Sequence, residues 1–262
     1  MATITIPWED GSGDNIYLTY SQASGDQTVT VTSDAYAGSN SRTKDVIFTT
    51  TNGNTTVSKT LTVIQEEPVP YDSRIEYLES TGTQYIDIGY TPTTSTILIM
   101  EACLTSLQNN ITMVGLYREK TYVQRFHIGT YQNQWHFGVS SNSASNKWKN
   151  FTGGIDTNKH TFEIRASGYC AVDSATNQIT VNNSRAYSMR IFVFARNVYV
   201  SSITIDQYAS MKLYGMKIYE GSTLMHEYIP CRVGQVGYLY DKVTKALLGN
   251  SGSGSFTLGS DI

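Results

Sequence analysis

The sequence predicts an all-β protein made of two sandwiches in series: an immunoglobulin-like β-sandwich, then a larger jelly roll. Three observations carry this expectation. Apolar residues alternate with Thr, Ser, Asn and Tyr over short runs, the period-two pattern of strands with one covered face. Clusters of Gly, Asn, Asp and Ser separate those runs, and no amphipathic helical period interrupts them. Pro68 and Pro70, two of the five prolines, fall between two β-rich regions. Proline cannot donate to a ladder and holds the chain extended. The boundaries read as a first domain over 1–66, a Pro-containing linker over 67–73 and a second domain over 74–262.

In the first region, TITIPW puts Ile4, Ile6 and Trp8 on one face and the threonines on the other. QTVTVTS alternates Val29 and Val31 with Thr28, Thr30 and Thr32. DVIFTTTNGNTTVSKTLTVIQ reads as a hairpin turning at Asn52-Gly53, where both residue types tolerate positive φ. Arg42-Thr43, Ser58-Lys59-Thr60 and Val63-Ile64-Gln65 in the stretch 42–67 resemble the second half of a BACON domain. That resemblance implies a small Ig-like sandwich, common in Bacteroidetes proteins and their phages, used as a spacer or linked to carbohydrate binding.

The second region, about 190 residues, is long enough for a large core. RIEYLE, STILIMEACL, QWHFGVS, HTFEIRA, MRIFVFAR and SMKLYGMKIYEG are among a dozen or so strand candidates. That many strands suit two large packed sheets. YLESTGTQYIDIG near the start, with KLYGMKIYEG, a Pro corner at Ile229-Pro230, Leu239-Tyr240-Asp241 and GSFTLG near the end, resembles the concanavalin A-like, LamG-type jelly roll of gut phage and gut-bacterial proteins. The resemblance implies that the first and last strands pair. The middle, 100–205, matches no quotable pattern, and binding loops of such folds lie there.

Composition narrows the partners. The net charge is −3 and the basic residues form no cluster, which argues against nucleic acid and against an anionic membrane surface. There is no signal-peptide pattern at the N-terminus and no apolar run of membrane-spanning length. Cys103, Cys170 and Cys231 have no metal or redox spacing and read as small buried residues.

No catalytic residues are expected. A jelly-roll glucanase needs an acidic triplet on one strand face, and none is present. Glu76 and Glu79 fall on opposite faces, while Glu163 and Glu227 are isolated within strands. His127, His136, His160 and His226 lack metal-ligand spacing, although His127 and His136 fit neighbouring positions on adjacent strands. No metal site is expected either. Asp10, Ser12 and Asp14 have the alternate spacing of a calcium loop but not its Gly or its closing Glu. The LamG likeness leaves calcium open, with Asp156 or Asp173 as contributors.

The ligand expectation rests on aromatic platforms, because sugars stack their C–H faces on rings. Trp135 alternates with Phe137 and Val139 and reads as core; Trp8 reads likewise. Trp148 stands among Asn, Ser and Lys and reads as the centre of a binding loop. Asn146, Lys147, Asn150 and Tyr131 are its nearest candidate helpers. The two resemblances imply a non-enzymatic virion component of a phage, a head or tail fibre or a capsid decoration, made in the host cytoplasm. Its partners would be other virion proteins and host-surface or mucin glycans, in a homo-oligomer such as a trimer. The rival expectations are a purely structural capsid or fibre protein and a glycan hydrolase with dispersed carboxylates.

Overall fold

The computed structural model describes residues 2–20, 28–36, 38, 40–120, 122–143 and 147–262. The protein is all-β among the described residues and divides into two compact units between Val69 and Pro70.

Among the described residues the first unit has five strands: β1 (Ala2–Pro7), β2 (Asn15–Tyr20), β3 (Val29–Ser33), β4 (Arg42–Asn52) and β5 (Thr55–Gln65). They form a three-stranded antiparallel sheet, β1-β2-β3, and a separate β4-β5 ribbon. The hairpin is present, but its turn lies one residue later than the Asn52-Gly53 signal. Asn52 pairs with Thr55, so Gly53 and Asn54 make the loop. Only Gly53 has positive φ, 61°, the II′ pattern.

Trp8, Ile16, Leu18 and Val46 are buried together, with Ile6 and Val63 packed against them. Burial is less complete than alternation alone implied. Ile4, Val29 and Val31 are exposed, because β1 and β3 are the edges of a small sheet.

Beside this cluster Arg42 is buried, only 8% exposed. Its guanidinium donates to Asp10 at 2.7 Å, Asp14 at 2.9 Å, Ser12 at 3.0 Å and Gln65 at 2.7 and 2.9 Å. It also lies against the rings of Trp8 (4.4 Å) and Tyr36 (4.1 Å). A buried charge needs this degree of pairing to offset its desolvation. Arg42 and Gln65 are register partners at the open end of the ribbon, so these two motif residues are physically one device. Asp10 and Asp14, the calcium-loop candidates, are the counter-ions of an arginine.

Tyr71 to Ser73 are tied into the second unit: the Tyr71 ring meets Tyr240 at 5.1 Å, and the Asp72 N–H donates to the Arg232 carbonyl at 2.9 Å.

In chain order the second unit's strands begin with β6 (Ser73–Arg74), β7 (Leu78–Thr81), β8 (Ile86–Asp87), β9 (Thr96–Leu104), β10 (Thr112–Glu119), β11 (Val123–Tyr131) and β12 (Gln134–Ser143). Next come β13 (Trp148–Asn150), β14 (His160–Arg165), β15 (Tyr169–Val172), β16 (Ala175–Gln178), β17 (Phe192–Val193), β18 (Arg196–Tyr199) and β19 (Ile203–Asp206). The last are β20 (Ser210–Glu220), β21 (Thr223–Val233), β22 (Val236–Asp241), β23 (Leu247–Leu248) and β24 (Thr257–Leu258).

Two large sheets form a sandwich. One runs β13-β12-β11-β10-β17-β8, with β18 parallel to β10 and β19 beside it. The other runs β16-β15-β14-β9-β20-β21-β22-β23, with β7 joining β20 to β24 and β6 on β21. The two ends of the unit do pair, though through β7 rather than the first strand β6: Leu78 with Leu258 and Glu79 with Thr257.

The core lies between the sheets. Trp135 of β12 is 4% exposed and meets Phe162 of β14 edge-on at 4.9 Å. Phe137, Leu98, Met100, Ile164, Met216 and Ile218 extend the same cluster.

Ile229-Pro230 is not a corner. Pro230 sits inside β21, where pairing with β20 has ended and pairing with β6 begins. Its carbonyl accepts the Ile75 N–H at 3.1 Å, and its missing donor falls beyond the end of the β20 ladder.

Candidate functional site

Alternation along β11 puts Phe126 and Ile128 in the core and turns Arg125, His127 and Tyr131 to the opposite face. On β12, Trp135, Phe137 and Val139 go inward and His136 outward. The β11–β12 loop has positive φ at both Gln132 (52°) and Asn133 (57°), the two-residue I′ geometry. It sets Tyr131 at the end of the sheet.

Trp148 is not in a loop. It opens the short edge strand β13, opposite Gly138, with Asn150 opposite His136. The sequence around it lacks apolar alternation because β13 shows little to the core: Trp148 and Lys149 are both exposed.

The outward rings converge. Trp148 lies 5.3 Å from His136 and 6.3 Å from Tyr131, and Tyr131 lies 5.5 Å from His136. Trp148 and Tyr131 remain 43% and 39% exposed. These rings line the mouth of a cavity of about 330 Å³, whose other walls include Arg125, Arg196, His127, Asn110, Thr112 and Gln207. This is the lower end of the range for small-molecule sites, roughly 300–1,000 Å³.

Two glycines make room for the deepest group. Gly115 and Gly138 are the register partners of His127 on either side. A Cβ at Gly138 would fall 2.3 Å from the His127 ring, and one at Gly115 2.3 Å from its Cβ. His127 therefore packs flat between them, stacked on His136 at 5.1 Å. It is 4% exposed, and its Nδ1 has no hydrogen-bond partner. Burial first, then the nearby positive charge of His136, Arg125 and Arg196, holds its pKa well below the ordinary imidazole value. The His136 pKa is lowered in the same way, again chiefly by burial.

The remaining walls are fixed by polar contacts. Arg196 of β18 makes a two-pronged pair with Asp206, at 2.9 and 2.8 Å. Arg125 and Arg196 both lie against the ring of Tyr117, at 4.6 and 5.0 Å. Gln207, at φ 49°, accepts from Thr112 at 2.8 Å and donates to Asn110, itself at φ 59°, at 3.0 Å. Left-handed non-glycine residues cluster where structure over-determines them, and Asn110 and Gln207 are both part of this wall.

Of the five residues the sequence singled out, Trp148 and Tyr131 line the cavity. Asn150 is one step back, 2.6 Å from His136 Nδ1, and orients that ring. Lys147 accepts the Val139 N–H through its carbonyl at 3.1 Å and is not among the lining residues. Asn146 lies outside the described residues. Sequence reasoning missed Arg125, Arg196, Asn110 and Gln207. Only Arg125 carried a local signal, its alternation with Phe126 and Ile128.

The isolated carboxylates have structural partners. Glu79 faces Lys212 at 3.8 Å and Glu163 pairs with Arg165. Asp156 and Asp173 flank His160, at 2.8 and 2.6 Å. No group of three or more His, Cys, Asp or Glu is set to hold a metal among the described residues. All three cysteines are free and buried, and burial pushes the thiols of Cys170 and Cys231 up to about 12.

A smaller cavity of about 210 Å³ on the other sheet contains Glu101 and Glu227. Glu101 pairs with Lys159 at 2.6 Å, and Glu227 lies between Lys242 (3.2 Å) and Lys217 (3.3 Å). Burial works to raise the Glu227 pKa, but the two lysines outweigh it and keep the carboxyl below its ordinary value.

No family model matches the chain, so the two family resemblances stand on the motifs quoted for them. No curated protein matches it. Among solved structures it is similar to a provisionally assigned carbohydrate-binding protein from Bacteroides ovatus. That likeness has 12% identity and a TM-score of 0.46, and covers 98% of this chain and 81% of that one. A likeness this distant says nothing of a ligand.

Proposed function

We propose that this protein binds glycans without cleaving them, through the outer face of β11–β13. One observation carries the reading: Trp148, Tyr131 and His136 converge, partly exposed, at the mouth of a polar-walled cavity. Exposed rings beside clustered amide and guanidinium donors are what a sugar needs, with stacking on its C–H face and hydrogen bonds to its hydroxyls.

The wider role is adhesion by a phage virion, with the first unit as spacer and the second presenting the site. It draws support from the BACON-like and LamG-like motifs. Several copies in a homo-oligomer, a trimer for example, would raise weak single-site affinity through effective concentration. Mass spectrometry of purified particles tests that role: the chain should be among the virion proteins, and its absence from them would end it.

The site itself is tested on a glycan array with wild type and Trp148→Ala. The wild type should bind at least one glycan class, and the variant should lose about tenfold or more. No binding at all would favour the purely structural protein. The hydrolase reading has one specific observation, Glu101 and Glu227 beside one cavity. Reducing-sugar release that Glu227→Gln abolishes would establish it. However, a general acid must hold its proton, and two lysines keep Glu227 ionised.

A further inference from the structure

The glycan-binding cavity has a chemical bias that its aromatic mouth does not explain. Among the described residues its walls contain the guanidiniums of Arg125 and Arg196 and the imidazoles of His127 and His136, and no aspartate or glutamate. The nearby carboxylates stand behind the wall. Asp206 holds Arg196, and Glu119 takes the hydroxyl hydrogen of Tyr117, the ring against which both guanidiniums lie. Neither acid lines the cavity.

Neutral-sugar sites use carboxylates and amides to accept from hydroxyls. This wall is rich in donors and carries fixed positive charge. From these features we infer that the cavity takes an anionic sugar, its carboxylate or sulfate group facing Arg125 and Arg196 while its ring stacks at Trp148 and Tyr131.

This rests on the glycan-binding reading and narrows it to a ligand class. Guanidinium forks match planar or tetrahedral oxyanions better than any other side chain does. His127 lines the same cavity, buried between two glycines. The local potential agrees: after burial, the charges of Arg125 and Arg196 are among the causes that lower the pKa of both histidines.

The test is calorimetric titration of the full chain with matched pairs. Tetragalacturonate is compared with its methyl ester, a sulfated galactan tetrasaccharide with its desulfated form, and oligoglutamate serves as a charged non-sugar. We expect one acidic sugar to bind about tenfold or more tighter than its neutral twin, with the stronger pair showing whether carboxylate or sulfate is preferred. Arg125→Gln should erase that difference, weakening the acidic sugar far more than its neutral twin. Arg125→Lys, which keeps the charge and the fold, should retain part of it.

Equal binding of neutral and acidic twins would overturn the anionic class while leaving glycan binding intact. Oligoglutamate binding as tightly as the sugars would overturn the stacking contribution. Failure of every sugar here, together with an empty glycan array, would remove the glycan-binding reading itself.

Discussion

The first unit sets a small apolar cluster of Trp8, Ile16, Leu18 and Val46 beside a buried guanidinium that lies on Trp8, while the second packs two broad sheets over a continuous apolar core. Both sequences alternate, and both make antiparallel sheets, yet they are held in different ways. Small sandwiches bury a smaller fraction of their surface, and here one polar hub organises strands that hydrophobic burial alone would hold weakly. The larger unit has apolar area to spare. Its outer face is therefore free to carry groups outside the core between the sheets: exposed rings, a buried imidazole between glycines and two arginines on one tyrosine.

The sharpest way to break this comparison is to remove the hub. Arg42→Ala leaves Asp10 and Asp14 facing one another without their cation. It should lower the melting transition of the first unit by more than about 10 °C and leave the second transition in place. Differential scanning calorimetry reads both, and an unchanged first transition would show that the four apolar residues suffice.

Truncating the opposite kind of centre should do the reverse. Phe162 is fully buried against Trp135. Phe162→Ala should cost the second unit about 3–5 kcal/mol while the first melts as before. A loss below about 1 kcal/mol, measured by denaturant titration, would mean that the core is less closely packed than described.

A smaller effect concerns pH. Burial acts to lower the His160 pKa, but hydrogen bonds to Asp173 and Asp156 outweigh it, and the net shift is upward. A raised histidine stabilises fully below its unfolded pKa of about 6.5 and loses that contribution as pH climbs through the folded value. The Asp156 and Asp173 pKa values are lowered, against burial, by bonds led by those to His160. Their contribution is present above about pH 4 and fades as pH falls through the lowered values. The stability lost in His160→Gln should therefore be greatest between about pH 4 and 6.5, roughly 0.5–1 kcal/mol, and shrink toward pH 9. Thermal melts across that range check it, and a penalty that grows with pH would contradict the sign.

Least of all should the site itself matter to stability. Trp148→Ala removes an exposed ring on an edge strand and should change the second transition by less than about 0.5 kcal/mol. A large destabilisation would recast Trp148 as a packing residue.

Much of this contrast was legible in the chain. Alternation separated Trp135, bound for the core, from Trp148, and the hairpin of β4 and β5 was readable to within one residue. Alternation could also have put Arg125 and His127 on Tyr131's face. The rest depends on register and distant pairing. Arg196 reaches the cavity through a parallel pairing of β18 with β10, some eighty residues apart, and no local pattern encodes that. The burial of Arg42 was equally invisible, because its partners Asp10 and Asp14 read only as an imperfect calcium loop. Trp148 looked like a loop residue because a three-residue edge strand carries too little alternation to detect.

The central claim is that one outer face of the second unit takes a sugar. Amide hydrogen exchange, with and without the best array ligand at saturation, tests it most directly. Added protection should concentrate at residues 123–131, 134–143 and 148–150, with none over 2–65. Protection centred on the first unit, or on 99–101 and 215–229 of the opposite sheet, would contradict it.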